Sequence, residues 1–377
     1  MASNLRNSLT VALAARAPVP VLWLVAVASY FPLNSLAFSS ALLDSQWPEA
    51  VSAVLVQQLH EPAEELQLRG TLPKLTNIED LVSLQVQRQY EDNPYPRWVK
   101  TAPAGEAGPF DEYLRQKFPL VPFEYQADSA RTEFLIAGCG TGLHPIATAQ
   151  RIQGAQILAV DLSLRSLSYA KRKALEMGLK SIEFAQADLL KLGNLERTFD
   201  VIECSGVLHH LADPWAGWRA LLSLLRPGGF MRLGFYSALA RRDVVRIRNH
   251  IADQGYGSAP AEIRRFRQTL MTTSQREQFG TILTSPDFFS TSTCRDLLFH
   301  VQEHRLTLDE IRVFLGENQL KFLGFEIENG VLQAYQQRFT ADRAAINLEQ
   351  WQIFENENPD TFGMMYQFWI RKKIDRI

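Results

Sequence analysis

Residues 133–144 read Glu133-Phe-Leu-Ile-Ala-Gly-Cys-Gly-Thr-Gly-Leu-His144. The apolar run Phe134 to Ala137 has the character of a buried strand, and it breaks at once into alternate glycines, Gly138, Gly140 and Gly142. Ile146, Ala147, Ala149 and Ile152 then fall on roughly one helical face before Gly154 stops the pattern. Strand, glycine turn and helix open a nucleotide-binding βαβ unit. Glycines suit such a turn because the backbone must bend tightly and approach a ligand where any Cβ would collide. Three glycines also describe a tight turn without a ligand, so the rest of the unit has to decide.

The alternation continues regularly. Gln156–Val160 is a second apolar strand closed by Asp161, and Ser163 caps a helix from Leu164 to Met177 that Gly178 ends. Ile182–Ala185 is a third strand leading into Ala187-Asp188-Leu189, and Phe199–Glu203 is a fourth. Asp213-Pro214 starts a helix to about Leu225, Arg226-Pro-Gly-Gly229 makes a turn, and Phe230–Phe235 is a fifth strand. Strands separated by single helices predict an α/β, doubly wound parallel sheet. Thr307-Leu-Asp-Glu310 starts a helix to Asn318, with strands expected at Phe322–Ile327 and Thr361–Arg371. Asp161, at the end of the second strand, is placed to accept both hydroxyls of a ribose. Asp188, after the third, is placed to meet the exocyclic amine of an adenine. Either acid alone is more often a helix cap or turn former; together with the glycine turn and Arg-Pro-Gly-Gly they form a far more specific arrangement.

This arrangement resembles the class I S-adenosylmethionine-dependent methyltransferases. Gly138-Cys-Gly-Thr-Gly142 has their GxGxG spacing, Phe199-Asp-Val-Ile to Leu208-His-His-Leu-Ala-Asp-Pro214 is similar to their fourth motif, and Leu225-Arg-Pro-Gly-Gly229 to their fifth-strand turn. The resemblance implies a seven-stranded Rossmann-like sheet whose last strand is antiparallel, and S-adenosyl-L-methionine as cofactor. It implies cofactor contacts from Ala137, Gly138, Cys139, Gly140, Thr141 and Gly142, from Asp161 and Leu162, from Ala187, Asp188 and Leu189, and from Cys204. Methyl transfer from a sulfonium is an in-line displacement that needs positioning more than chemistry, with no metal and no covalent intermediate. A general base, if one is used, comes from Glu203, His209, His210 or Tyr236, although the family often uses such histidines as pocket wall. One departure stands out: the family often has an acid two residues before the first glycine, where this chain has Ile136. Bacterial methyltransferases with Asn-Pro-Tyr-Pro-Arg-Trp ahead of the glycine motif resemble it further, through Asn93 to Trp98. The shorter Asn93-Pro-Tyr95 is not the Asn-Pro-Pro-Tyr motif of exocyclic-amine methylation, which follows the fourth strand.

The domain expectation is a helical N-terminal extension at 1–120, with Val21–Tyr30, Pro48–Leu59 and Ile78–Arg88 helical and an extended clasp at Tyr90–Trp98. A methyltransferase domain follows at 121–377, with a helical cap inserted at 238–305. The apolar run Val21 to Phe31 is bracketed by prolines and far shorter than the roughly 20 residues a bilayer span needs, so a buried helix is expected and no transmembrane segment. Three cysteines, dispersed and without a CxxC, fit a reducing, cytoplasmic compartment. A net charge of −2 gives no strong nucleic-acid signature. The seven arginines Arg241, Arg242, Arg246, Arg248, Arg264, Arg265 and Arg267 read as a solvated helix face, or as an attractor for an anionic acceptor. His300-Val-Gln-Glu-His304 fits a zinc-peptidase pattern on one helical face, which the surrounding core gives no reason to use. The acceptor stays open among small molecule, protein and RNA, and a homo-oligomer stays open. Two other functions share parts of the pattern. A nicotinamide-dependent oxidoreductase is disfavoured by the glycine spacing, and a non-catalytic methyltransferase-like scaffold is given room by Ile136.

Overall fold

Seven strands form one sheet in the order β3-β2-β1-β4-β5-β7-β6. They are β1 (Thr132–Ala137), β2 (Ala155–Asp161), β3 (Ile182–Gln186), β4 (Phe199–Ser205), β5 (Leu225–Tyr236), β6 (Leu320–Phe325) and β7 (Met365–Lys372). The first five are parallel, and β7 inserts antiparallel between β5 and β6. The computed structural model describes residues 2–374 apart from 97, 104, 126–130 and 273–278.

Alternation along each strand loads both faces of the sheet. Leu135 and Ala137 of β1 join Ile202 and Cys204 of β4 in one core, while Phe134, Ile136 and Val201 join the other. A sheet buried on both faces needs apolar residues at consecutive positions, which is why its strands read as continuous apolar runs. Single helices make the parallel crossovers. Ser163 caps Leu164–Glu176 through the Ser166 amide, and Asp213 caps Pro214–Leu224 through those of Trp215 and Ala216. Arg226-Pro-Gly-Gly229 is continuous with β5 rather than a separate turn, because Leu225 pairs with Phe199 and Gly228 takes the positive φ that the irregularity requires. Between β6 and β7 the helices Asn329–Arg338 and Leu348–Glu357 intervene, so the last strand begins at Met365 instead of Thr361.

The chain divides into two compact units, Met1–Thr71 and Leu72–Ile377. The division falls well before residue 120, because Trp98, Phe110 and Leu114 are part of the core beneath β1. In the first unit, Ala2–Ala14, Val21–Ala28, Glu49–Leu55 and Glu61–Arg69 are helices around Leu9, Leu24, Val27 and Leu55. Among the described residues, no helix is long and apolar enough to cross a membrane.

Three local expectations need correcting. Tyr90 is not extended: it lies in the helix Leu81–Asp92, which Asp80 caps, and the extended path starts only at Asn93. Pro94 and Pro96 constrain the residues just before them, and so reach back no further than Asn93. His300–His304 is not helical, since the preceding helix ends at Leu298, and its two histidines do not share a helical face. The arginine-rich stretch is not uniformly solvated, because Arg241 is only 1% exposed. The insertion after β5 has its own core of Val244, Ile247, Phe266, Phe288 and Leu297. It leaves the sheet at Tyr236 and returns through a parallel bridge between Ser237 and Leu306.

Candidate active site

A cavity of about 700 Å³ opens at the carboxyl ends of the parallel strands. This is where an open α/β sheet places its ligands, and the volume suits a ligand of nucleotide size. The glycine turn forms its floor. Gly138 and Gly142 have φ of +76° and +85°, and a Cβ on either would lie 2.3 Å from Val207 Cγ2 or 2.5 Å from Ala170 Cβ. Glycine is therefore required at both by conformation and by space. Behind the turn, the amides of Gly138 and Cys139 donate to Val160 O.

Asp161 closes β2. Its Oδ2 accepts from the Gly140 amide at 2.8 Å and its Oδ1 from the Ser163 amide at 2.9 Å. Burial raises its pKa, and the backbone donors oppose that rise. Asp188 follows β3; its Oδ1 accepts from the Leu190 amide at 3.0 Å. Its carboxylate faces the Ser83 hydroxyl, whose hydrogen bond opposes the rise that burial causes in its pKa; both residues line the cavity with Ser166, whose buried Oγ has no hydrogen-bond partner among the described residues. Buried polar atoms without partners are rare and point to a missing ligand.

Tyr95 and Pro96 reach the cavity from the segment that follows the helix Leu81–Asp92, and Tyr90 from the last turn of that helix. This segment is fastened to the glycine turn. Trp98 Nε1 donates to Thr141 O at 3.1 Å, and Thr141 Oγ1 donates to Pro96 O. The sequence-predicted clasp is thus a wall of the cavity and a brace for its floor.

Of the expected cofactor residues, Gly138, Cys139, Gly140, Asp161, Leu162, Ala187, Asp188 and Leu189 line the cavity. Ala137 and Cys204 do not, because strand alternation turns both into the same core. Thr141 spends its hydroxyl on Pro96, and Gly142 sits against Ala170, so neither lines it.

The four base candidates are not equivalent. His209 is sealed: it is fully buried beneath Tyr236, with ring centroids 3.8 Å apart, and neither ring nitrogen has a hydrogen-bond partner among the described residues. Burial holds its pKa well below the ordinary value. His210 lines the cavity, stacks on His300 at 3.6 Å and has Nδ1 2.7 Å from Gln302 O. Burial lowers its pKa to about 4. Tyr236 also lines the cavity, with the Arg241 guanidinium 3.6 Å over its ring, and burial raises its phenol. Glu203 contacts His144 Nε2; burial works to raise its pKa, but His144 and Arg232 outweigh it and hold the carboxylate below its usual range.

Glu203 also lies beside Ile136. The two are direct partners across β1 and β4, on the same face of the sheet, and Glu203 lines the cavity. A carboxylate therefore stands one strand over from Ile136. Sequence spacing could not reveal this, because register is a property of the folded sheet.

The stretch from Ser290 through Asp296 to His304 reads in sequence as a polar wall around the acceptor or a satisfied helical face, with no role singled out for Asp296. Asp296, on the helix Thr291–Leu298 of the insertion, lines the cavity and accepts a 2.7 Å hydrogen bond from the Tyr90 hydroxyl. Beneath it Arg241 makes a two-pronged pair with Glu303 at 3.0 and 2.7 Å, with side chains 1% and 0% exposed. The arginine cluster was visible in sequence, but not the burial of its first member.

A family model described as a methyltransferase domain matches residues 134–229, from β1 through the glycines that open β5. Residues 134–229 are similar to a methyltransferase domain. The chain is similar to curated sequences over part of their length. An uncharacterized protein of Synechococcus sp. is 34% identical over 123 residues, 32% of this chain and 30% of that protein. A ubiquinone biosynthesis O-methyltransferase of Idiomarina loihiensis is 39% identical over 107 residues, 28% of this chain and 42% of that enzyme. The matches therefore span less than half the length of these relatives. The sheet is also that of PKMT2 from Rickettsia typhi, at a TM-score of 0.52 and 18% identity, covering 71% of this chain and 53% of that one.

The cofactor of such a domain fits the residues present. A carboxylate at the end of β2 offers acceptors for ribose hydroxyls, and Asp188 and Ser83 offer polar groups on the cavity wall after β3. Gly138 leaves no Cβ at the floor.

Proposed function

We propose that the protein transfers the methyl group of S-adenosylmethionine to an acceptor by in-line displacement. The observation that carries this reading is the cavity at the strand ends, where Asp161 and Asp188 line the wall beside the glycine floor. Bound S-adenosylmethionine supplies a methyl already activated by its sulfonium. The protein's task is then to hold both partners and exclude water. Asp161 takes the ribose hydroxyls, Asp188 and Ser83 the adenine edge, and the backbone of Gly138–Gly140 the methionine part. Glu203 takes the place of the acid missing at Ile136 and holds the ammonium group. The pairing of Glu203 with His144 and the burial of His209 argue against both as bases.

PKMT2 of Rickettsia typhi has been solved in complex with AdoHcy, which supports the same ligand here. The Asn93–Trp98 segment, braced on the glycine turn, supports kinship with bacterial methyltransferases that carry this segment. Tyr95 and Pro96 line the cavity, which supports reading the segment as part of the cofactor site rather than a linker. A cytoplasmic setting is consistent with Cys139, Cys204 and Cys294 all being free and buried.

Calorimetric titration with S-adenosylmethionine, S-adenosylhomocysteine and NAD tests the reading. The two sulfur ligands should bind at tens of micromolar or tighter and NAD should not. Binding of NAD alone would overturn it in favour of an oxidoreductase, and failure of all three would favour a scaffold. Labelled methyl incorporated in a fractionated lysate then sorts the acceptor among small molecules, protein and RNA.

A further inference from the structure

At the end of the cavity formed by the insertion, the walls are aromatic and one carboxylate faces them. Tyr90, Tyr95, His210 and Tyr236 line this end together with Asp296. Among the described residues Asp296 has a single hydrogen-bond partner, the Tyr90 hydroxyl, which takes Oδ1. Its Oδ2 is left to the cavity, so the side chain is partly accessible although it lies deep in the protein. The wall behind it is rigid. The buried Arg241–Glu303 pair and the Arg241 guanidinium over Tyr236 fix the start of the insertion, and Arg248 donates to His300 O at 2.8 Å. Glu303 faces Arg241, Arg248 and Arg305 at 2.7, 3.7 and 3.6 Å, and among the described residues none of these three arginines lines the cavity, so none is placed there to meet an anionic acceptor.

We propose that Asp296 is the anchor and proton acceptor for the hydroxyl group of a neutral, ring-bearing small-molecule acceptor. One open carboxylate oxygen among aromatic faces matches a group with one proton to give. An amine would leave further N–H donors against apolar surface, at the cost of their desolvation. The reading rests on the methyltransferase function proposed above. As the acceptor oxygen bonds to the methyl carbon and the carbon–sulfur bond breaks, its proton passes to Asp296 Oδ2. The sulfur loses its positive charge, the carboxylate its negative one, and the proton later returns to solvent. Burial pushes Asp296 up to about 6, against the Tyr90 hydrogen bond, so it is ionised at neutral pH yet basic enough to take a proton. The charged and titratable groups facing it are Tyr90, Tyr95, Tyr236, Arg241, Asp287 and Glu303, with His210 on the same cavity wall and His300 3.3 Å from the Tyr90 hydroxyl.

The test is ligand-detected NMR titration of the full chain saturated with S-adenosylhomocysteine, using phenol, anisole and aniline as probes from pH 5 to 8. Phenol should bind, and its affinity should rise as pH increases through about 6. Asp296→Leu should weaken phenol by about ten- to a hundredfold and leave anisole unaffected, because a hydrogen bond to a charged group is lost. Asp296→Asn should keep part of the phenol affinity but lose its pH dependence, and Tyr90→Phe should keep the dependence with a shifted midpoint. Phenol that binds no better than anisole, or equally well to Asp296→Leu, overturns the proposal, and so does aniline binding more tightly than phenol. S-adenosylhomocysteine titration of each variant separates the two levels. If it binds neither the variants nor the wild type, the methyltransferase reading has failed; if it binds and the phenol arms fail, only the assignment of Asp296 has.

Discussion

Replacing Asp161 tests the site most directly. Its carboxylate accepts from the Gly140 and Ser163 amides at 2.8 and 2.9 Å, and so shapes the glycine turn before any ligand arrives. In the proposed function its remaining lone pairs take the two ribose hydroxyls. A hydrogen bond to a charged group contributes about 1.5–3 kcal/mol. Asp161→Ala removes both ribose bonds, and water entering the gap recovers part of the loss, leaving about 3 kcal/mol. That corresponds to roughly a hundredfold weaker S-adenosylhomocysteine binding. Asp161→Asn keeps the shape and one carbonyl oxygen but turns an amino group toward one of the two backbone donors, so about a tenfold loss is expected. Isothermal titration calorimetry measures both, and thermal melting without ligand reports how far the turn itself has loosened. An Asp161→Ala dissociation constant within about threefold of wild type, with an unchanged melting temperature, would refute the assignment of Asp161 to the ribose.

Glu303→Gln should destabilise the protein by about 3–5 kcal/mol in urea unfolding, because it leaves the buried Arg241 charge without its counterpart. The double variant Arg241→Met/Glu303→Leu should recover much of that loss. Trp98→Phe removes the hydrogen bond to Thr141 O and should cost about 1 kcal/mol in stability, with a few-fold weaker S-adenosylhomocysteine binding by calorimetry. His209, His210 and His300 are held neutral by burial, His210 down to about 4, while an unfolded histidine titrates near about 6.5. The unfolded chain then takes up protons that the folded chain refuses, so this stability is complete above about pH 6.5 and is lost as pH falls toward 4. Asp296, raised to about 6, acts in the opposite sense over its own range, gaining its proton first in the folded state. His210→Gln should therefore flatten the fall of melting temperature between pH 6.5 and 4; an unchanged slope would show that His210 is not held neutral.

The residues from Phe134 to Phe235 declare the five parallel strands unaided. Apolar runs, glycines, Asp161, Ser163 and Asp213-Pro214 are local signals, each carrying its physical cause within a few positions of itself. A left-handed backbone turn, a helix cap or a buried strand needs no knowledge of distant chain, so the glycine floor and the two strand-end acids were legible in sequence. The acceptor end was not. Tyr90 meets Asp296 across 206 positions, and Arg241 meets Glu303 across 62. Nothing near any of these four residues announces its partner. Likewise Glu203 stands beside Ile136 only because β4 lies beside β1 in one particular register. Burial decides the rest: the same imidazole is a sealed neutral ring at His209 and a cavity wall at His210, one residue apart. Sequence determines where the chain turns and which faces are apolar. Only the packed structure decides which charges lose their water, and therefore which of them must find each other or a ligand.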